Sequence, residues 1–469
     1  MDGSPSGSLL GDAESYRLVG LCVSFFVLFF SFYGSQTQVT PTLGTFGSFS
    51  LGLLYGCLAL TAPLAPAILR CLRRGAPRKS LRAETRALAM TSLLYAPFLV
   101  ACADASQHRL QLATSAILGC AAGLLWVAQG SLLTACTTAS NRGRWSGTFW
   151  AMFMAGNAVG NLSAAAIVSA TSVSTMFLVL AGVCVLSSLL FLLLVRPRRM
   201  VLSSVGDYAD PLVAANGRRG ADVGDDDDSA SLRNDLRELL QALRQRESLS
   251  LLPLLLFIGA ENAFWSGEFA TLASKFKGGA GGASLAAATL ASSEIVASLV
   301  AGVAVDRGRP TLGLTLGLAA FCAALIVVQL CVVPQLAQAV DGAAPPLPWT
   351  AFLAAALMGT GDATANTVAT ARLGSLADEH GKLKREAAFQ YFQCANVAMT
   401  ALAFVYSPYA PLDVGAPPVQ PALLCALAMV AVVVFHCGLR SQRAPGRLGS
   451  RCVDHTDQMA QINSAAAGA

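Results

Sequence analysis

Four carboxylic acids stand inside long apolar segments. Glu261 and Glu268 lie seven residues apart in one segment, Glu294 falls in the next, and Asp362 lies two segments later with Asn366 one helical turn beyond it. An ionised side chain in hydrocarbon is unstable unless it faces protein, water or a partner of opposite charge. No Lys or Arg stands mid-segment to serve as that partner. A carboxyl in such a place is held neutral or holds a cation. That is the chemistry of proton coupling or cation binding, and its structural alternative is a neutral acid hydrogen-bonded between helices. Asp362 is the foremost candidate, and Glu268 sits near the outer end of its segment. At the heptad spacing Glu261 and Glu268 are expected on one helical face. Gln129, Asn157, Asn161, Gln390, Gln393 and Asn396 interrupt other segments, as cavity lining or as interhelical glue.

The segments that must position these residues follow from composition. Hydrophobic residues make up 54% of the chain and charged residues 13%, against roughly a quarter charged in soluble domains. The apolar residues come in blocks, about six before and about six after a polar interval at 196–250, each near the length that crosses a bilayer. The reading is an all-α integral membrane protein of about twelve transmembrane helices. The first segment is drawn over 18–33, which places Gln36 just past its end. The other cavity-forming segments are drawn over 112–135, 251–270 and 349–371.

Basic residues fall on alternate loops. Arg70, Arg78, Arg142, Arg307, Arg372 and Arg443 lie on one side, while Arg109, Lys275 and Lys277 are the few on the other. The bias places both termini in the cytoplasm. Residues 1–17 then form a cytoplasmic tail, 18–195 a first six-helix half, 196–250 a cytoplasmic loop, 251–438 a second six-helix half and 439–469 a second tail. Within the loop, the run Asp225–Asp228 reads as a solvated spacer. Leu232, Leu236, Leu239, Leu240 and Leu243 mark an amphipathic helix on the membrane surface.

Two six-helix halves around a central loop resemble the major facilitator superfamily, a class of secondary transporter. Gly302-Val-Ala-Val-Asp306-Arg307-Gly308-Arg309 resembles that superfamily's signature loop, which makes Asp306, Arg307 and Arg309 gating candidates. The halves also repeat each other weakly. Phe32-Tyr-Gly-Ser-Gln36 pairs with Phe264-Trp-Ser-Gly-Glu268, and Arg73-Arg74-Gly75 with Asp306-Arg307-Gly308. Arg73 stands where the signature has Asp, which argues against a symmetrical lock.

A narrower resemblance appears at three segments. Gly119-Cys-Ala-Ala-Gly-Leu-Leu-Trp126-Val-Ala-Gln129-Gly130-Ser131-Leu-Leu-Thr134, continued by Asn141-Arg-Gly143, Phe149-Trp150 and Gly160-Asn161, is similar to the Unc-ninety-three (UNC-93) family. Gly359-Thr-Gly361-Asp362-Ala-Thr-Ala-Asn366-Thr367 is similar to the same family's solute-carrier-like branch. The resemblance implies a twelve-helix major facilitator fold. It also implies two kinds of role: orphan transporters, and regulatory subunits of potassium channels or trafficking chaperones for membrane receptors.

Two functions compete on this reading. One is secondary transport of a small solute or ion, with Gln36, Trp126, Gln129, Glu261, Asp362 and Asn366 lining a central cavity. The other is a non-transporting partner of another membrane protein. Transport ranks ahead because acids persist in the core segments. The thirteen cysteines lie mostly in apolar segments with no Cys-x-x-Cys pair, so they read as small buried hydrophobes. No nucleophile–base pair, phosphate loop or metal cluster stands out. An enzyme, a cofactor, a metal and a nucleic-acid partner are therefore not expected, and the expected surroundings are the lipid bilayer.

Overall fold

The computed structural model describes residues 6–73, 82–137, 142–195, 233–234, 236–237, 239–241, 244–337, 344–379, 385–413 and 415–443. These are helical nearly throughout. The helices are α1 (Ser6–Leu43), α2 (Thr45–Thr61), α3 (Ala65–Arg73), α4 (Arg82–Leu93), α5 (Tyr95–Cys102), α6 (His108–Ala135), α7 (Arg142–Ala170) and α8 (Val173–Leu194). There follow α9 (Arg246–Ala263), a π-helical turn (Phe264–Phe269), α10 (Ala270–Ser274), α11 (Gly279–Asp306) and α12 (Pro310–Val327). A second π-helical turn (Val328–Val332) leads into α13 (Val333–Leu336), α14 (Trp349–Glu379), α15 (Arg385–Tyr406) and α16 (Val419–Arg443).

Among the described residues, ten helical spans are long and apolar enough to cross a membrane. Large apolar side chains such as Leu60, Val300, Leu316 and Val433 are exposed on their outer faces. Such a surface suits hydrocarbon and not water. The chain is thus an all-α, multi-spanning membrane protein. α14 and α15 are not among the ten spans. They carry Asp362, Asn366, Gln390, Gln393 and Asn396, and the physical cost of those groups is met by turning them inward.

One boundary differs from the sequence reading in a way that matters for the site. α1 runs to Leu43 instead of stopping near Tyr33, so Gln36 lies inside the helix. The stretch from Gly34 to Thr40 is too polar to look like a span, but it is buried against other helices. Gln38 shows how: its side-chain amide donates to the Ala280 carbonyl and to Ser284 Oγ, both at 2.7 Å. α1 ends where Gly44 takes φ +58°, a conformation natural to glycine.

Buried apolar side chains form two clusters. One draws on residues up to Val195, with Ala263, Val397 and Phe404 added, and the other runs from Leu239 to Phe435. α1 packs on α7 and α8, and α14 on α11 and α12. Two seams join the clusters, α7 against α11 and α2 against α15. The described part of 233–241 is helical. Leu239 packs into the second cluster, whereas Leu236 and Leu240 are exposed. The Asp225–Asp228 run, Leu232, Leu243, Arg74, Gly75 and Asn141 lie outside the described residues.

Candidate functional site

The acids are brought together by a close helix crossing. A Cβ at Gly359 would stand 2.3 Å from the Leu290 carbonyl oxygen, so glycine is what lets α14 lie this near α11. One turn further along each helix come Asp362 and Glu294, whose carboxyls adjoin. Glu261, in the last turn of α9, meets Asp362 from a third helix. Glu261 and Glu294 are fully buried and Asp362 nearly so.

Asn366 Nδ2 donates to Asp362 Oδ1 at 2.5 Å and to the Asp362 carbonyl at 3.2 Å. The carboxyl oxygens of Glu261 and Glu294 accept no hydrogen bond from a donor group among the described residues. Like charges at contact repel strongly in a low dielectric, so a group of adjoining carboxyls has the chemistry to take up a proton or a cation. Among the described residues no group of three or more His, Cys, Asp or Glu has the arrangement of a metal site.

Glu294, Asp362 and Asn366 open onto a cavity of about 100 Å³, room for several waters or one small solute. The same cavity is lined by rings that pack on one another. Trp126 and Trp150 lie with centroids 6.2 Å apart and planes 22° apart. Phe153 meets Trp150 edge-on at 5.2 Å and Tyr33 at 5.5 Å. Tyr33 joins the rings to the acids: it interacts electrostatically with both Glu294 and Asp362 and lies 6.1 Å from Trp265. Side-chain amides of Asn157, Asn262, Gln393 and Asn396 complete the lining.

The other sequence candidates fall at different distances from this cavity. Trp126 and Asn366 line it. Gln36 stands behind the lining residue Tyr55, accepting from its hydroxyl at 3.1 Å and donating to Ser266 Oγ at 3.4 Å. Gln129 and Gln390 are buried outside the lining, and Asn161 donates back to Asn157 Oδ1 at 2.8 Å.

Glu268 is the largest departure from the sequence reading. The π-helical turn separates it from Glu261, and the two acids do not share surroundings. Glu268 accepts from the Ser407 hydroxyl and, at 3.2 Å, from the Leu412 backbone N–H. It therefore ties the segment after α15 to the end of the seventh span. A π turn widens the helix by one residue, so a heptad count across it no longer keeps a face.

The 302–310 loop is a helix stop built on backbone geometry. Arg309 N donates to the Ala304 carbonyl and Gly308 N to the Val305 carbonyl, each at 2.9 Å. These two bonds define a Schellman motif. Gly308 takes the required left-handed conformation at φ +70°, and Pro310 opens α12. Asp306, Arg307 and Arg309 are exposed. The loop is one residue shorter than the full superfamily signature, because Gly308 follows Arg307 directly.

Sequence reasoning missed the rings. Tyr33, Tyr55, Trp150, Phe153, Trp265 and Phe392 all line the cavity. In a chain this apolar, an aromatic residue on the cavity looks like one in the core. Asn262 was also missed, although it follows Glu261 directly and its amide was as legible as those of Asn157 and Asn396.

Residues 45–436 match the family described as ion channel regulatory protein UNC-93. UNC93-like protein 3 of Arabidopsis thaliana is 27% identical over 408 residues, covering 84% of this chain and 80% of that protein. UNC93-like protein MFSD11 of Xenopus laevis is 25% identical over 276 residues, covering 54% of this chain and 57% of that protein.

Among solved structures, a peptide transporter POT in complex with sulfate superposes with a TM-score of 0.60 at 16% identity, over 92% of this chain and 95% of that one. A POT family transporter in complex with 5-aminolevulinic acid gives 0.60 at 12% identity, over 90% and 95%. Likeness at such identities concerns the fold alone. The chain is a multi-spanning membrane protein with the fold of secondary transporters, and it belongs to the UNC-93 family of ion channel regulatory proteins.

Proposed function

We propose that this protein is a secondary transporter that moves a small solute or ion by alternating access. Its membrane domain would have twelve spans in two six-helix halves, 18–195 and 251–438, with α14 and α15 crossing beside the ten more apolar spans. Both termini and the 196–250 loop would face the cytoplasm, a reading supported by the basic bias of alternate loops. The observation that carries the reading is the cavity between the two clusters, lined by buried acids from the second half and by rings drawn mainly from the first.

In this mechanism Asp362, Glu294 and Glu261 form the coupling centre. A proton or cation entering the group lowers its mutual repulsion and changes which packing of the halves is favoured. The seams α7–α11 and α2–α15 are the surfaces that slide as the halves rock. The exposed charges Asp306, Arg307 and Arg309 sit at a helix junction and would contact different neighbours in the two states.

The test is reconstitution of the full chain in proteoliposomes, with uptake measured for a panel of solutes under imposed proton, Na⁺ or K⁺ gradients. Asp362→Asn keeps size and hydrogen-bonding capacity but removes the acid. It is expected to abolish gradient-driven uptake, a loss of about a hundredfold or more on the scale of a removed charge-assisted contact. Variant uptake equal to wild type, with unchanged gradient dependence, would remove Asp362 from the mechanism.

A second reading, a non-transporting regulatory subunit, is favoured by the family description itself. Absence of any gradient-driven flux, together with stoichiometric co-purification of a channel or receptor, would establish it.

A further inference from the structure

The geometry points to a small organic cation, an ammonium or quaternary ammonium group carried on a short apolar body, as the solute this cavity takes. The inference rests on the transport reading and deepens it. Three observations converge. Glu294 is fully buried, lines the cavity, and its carboxyl oxygens accept no hydrogen bond from a donor group among the described residues. Asp362 adjoins it with one oxygen bonded by Asn366. In the same lining, Trp126, Trp150, Phe153 and Tyr33 close a ring wall through mutual contacts of 5.2 to 6.2 Å.

Ring faces attract cations through their quadrupole, most strongly when the cation is desolvated, and they give a methylated ammonium the apolar contact it needs. A carboxylate in the same lining balances its charge. Other cargo fits less well. None of the described lining residues is Lys, Arg or His. An amino acid or peptide would therefore set its own carboxylate beside Glu294 and Asp362 with no basic partner. A hard divalent ion takes six or more oxygen ligands, and the ring wall offers it only the Tyr33 hydroxyl. The cavity's volume of about 100 Å³ restricts the cation to a small one.

The test uses the full-length protein in lipid nanodiscs and equilibrium binding of radiolabelled choline. The competitor is 3,3-dimethylbutan-1-ol, which has choline's shape with carbon in place of the charged nitrogen. Choline is expected to bind saturably, and the neutral alcohol to compete about tenfold or more weakly. Glu294→Gln and Trp126→Leu are each expected to weaken choline binding about tenfold. Thermal melting checks that each variant folds. If Glu294→Gln does not, the series Trp126→Phe and Trp126→Leu reads the same site, with graded loss expected.

Equal binding of choline and the alcohol overturns the proposal, as does charge-selective binding that neither variant alters. Gradient-driven uptake of some other solute without choline binding overturns the cation class while leaving transport standing. Neither uptake nor choline binding overturns both.

Discussion

The acids that line the cavity all come from the second half of the chain, whereas its rings come mainly from the first, with Trp265 and Phe392 added from the second. α1, α6 and α7 bring rings, and α11 and α14 bring carboxyls, with Glu261 of α9 behind them. The weak internal repeat makes the contrast sharper. Tyr33 and Trp265 occupy equivalent places in the two copies and touch each other at 6.1 Å. Gln36 and Glu268 also occupy equivalent places, yet Gln36 joins a polar chain beside the cavity while Glu268 fastens the segment after α15. A fold repeated in outline thus keeps a shared ring contact and diverges in its charges. The ring side is a packed wall that sets shape. The acid side is where, in the proposed mechanism, a proton or cation changes the energy of the site.

That division can be broken on either side. The largest effect is expected from Phe153→Ala. Phe153 contacts Phe29, Tyr33, Trp126 and Trp150, and truncating so central a ring costs about 3–5 kcal/mol by analogy with buried cores. Thermal melting in detergent would read this as a marked loss of folded protein. A melting temperature within a few degrees of wild type would mean that the wall repacks freely.

Gly359→Leu acts on the acid side. Its side chain has to displace the Leu290 carbonyl region, so α14 and α11 move apart at a cost of about 1–3 kcal/mol. Separation of Asp362 from Glu294 should reduce uptake beyond the loss of folded protein, and uptake normalised to the folded fraction tests that. Glu268→Gln should have the smallest effect. Glu268 lies outside the cavity, and weakening its bonds to Ser407 and Leu412 should cost about 1–2 kcal/mol. Choline binding within about twofold of wild type would separate this acid from the other three; a tenfold loss would put it back with them.

The sequence exposes the acid side and conceals the ring side for one physical reason. A carboxyl in an apolar segment is anomalous, so Glu261, Glu294 and Asp362 are visible at once. Asn366 and Asn396 are visible on the same ground. Trp150 and Phe153 are not anomalous among leucines and alanines, and only the crossing of α1, α6 and α7 reveals that they face a void. The extent of α1 was hidden differently: Gly34 to Thr40 is polar by composition but buried by contact, and contact is a tertiary fact. The π turn at Phe264–Phe269 was illegible because no residue type demands it.

That turn has a consequence for how the seventh span tolerates change in length. In a regular helix each residue advances the side chains by about 100°, so removing one rotates everything beyond it onto the wrong face. A π turn already stores one surplus residue while its flanks remain in phase. Loss of a single residue within 264–269 would be absorbed by tightening to an α turn, leaving Glu261 and the residues of α10 facing their present neighbours. Of all positions along this span, it is the one where a one-residue deletion could be inherited without re-aiming the helix.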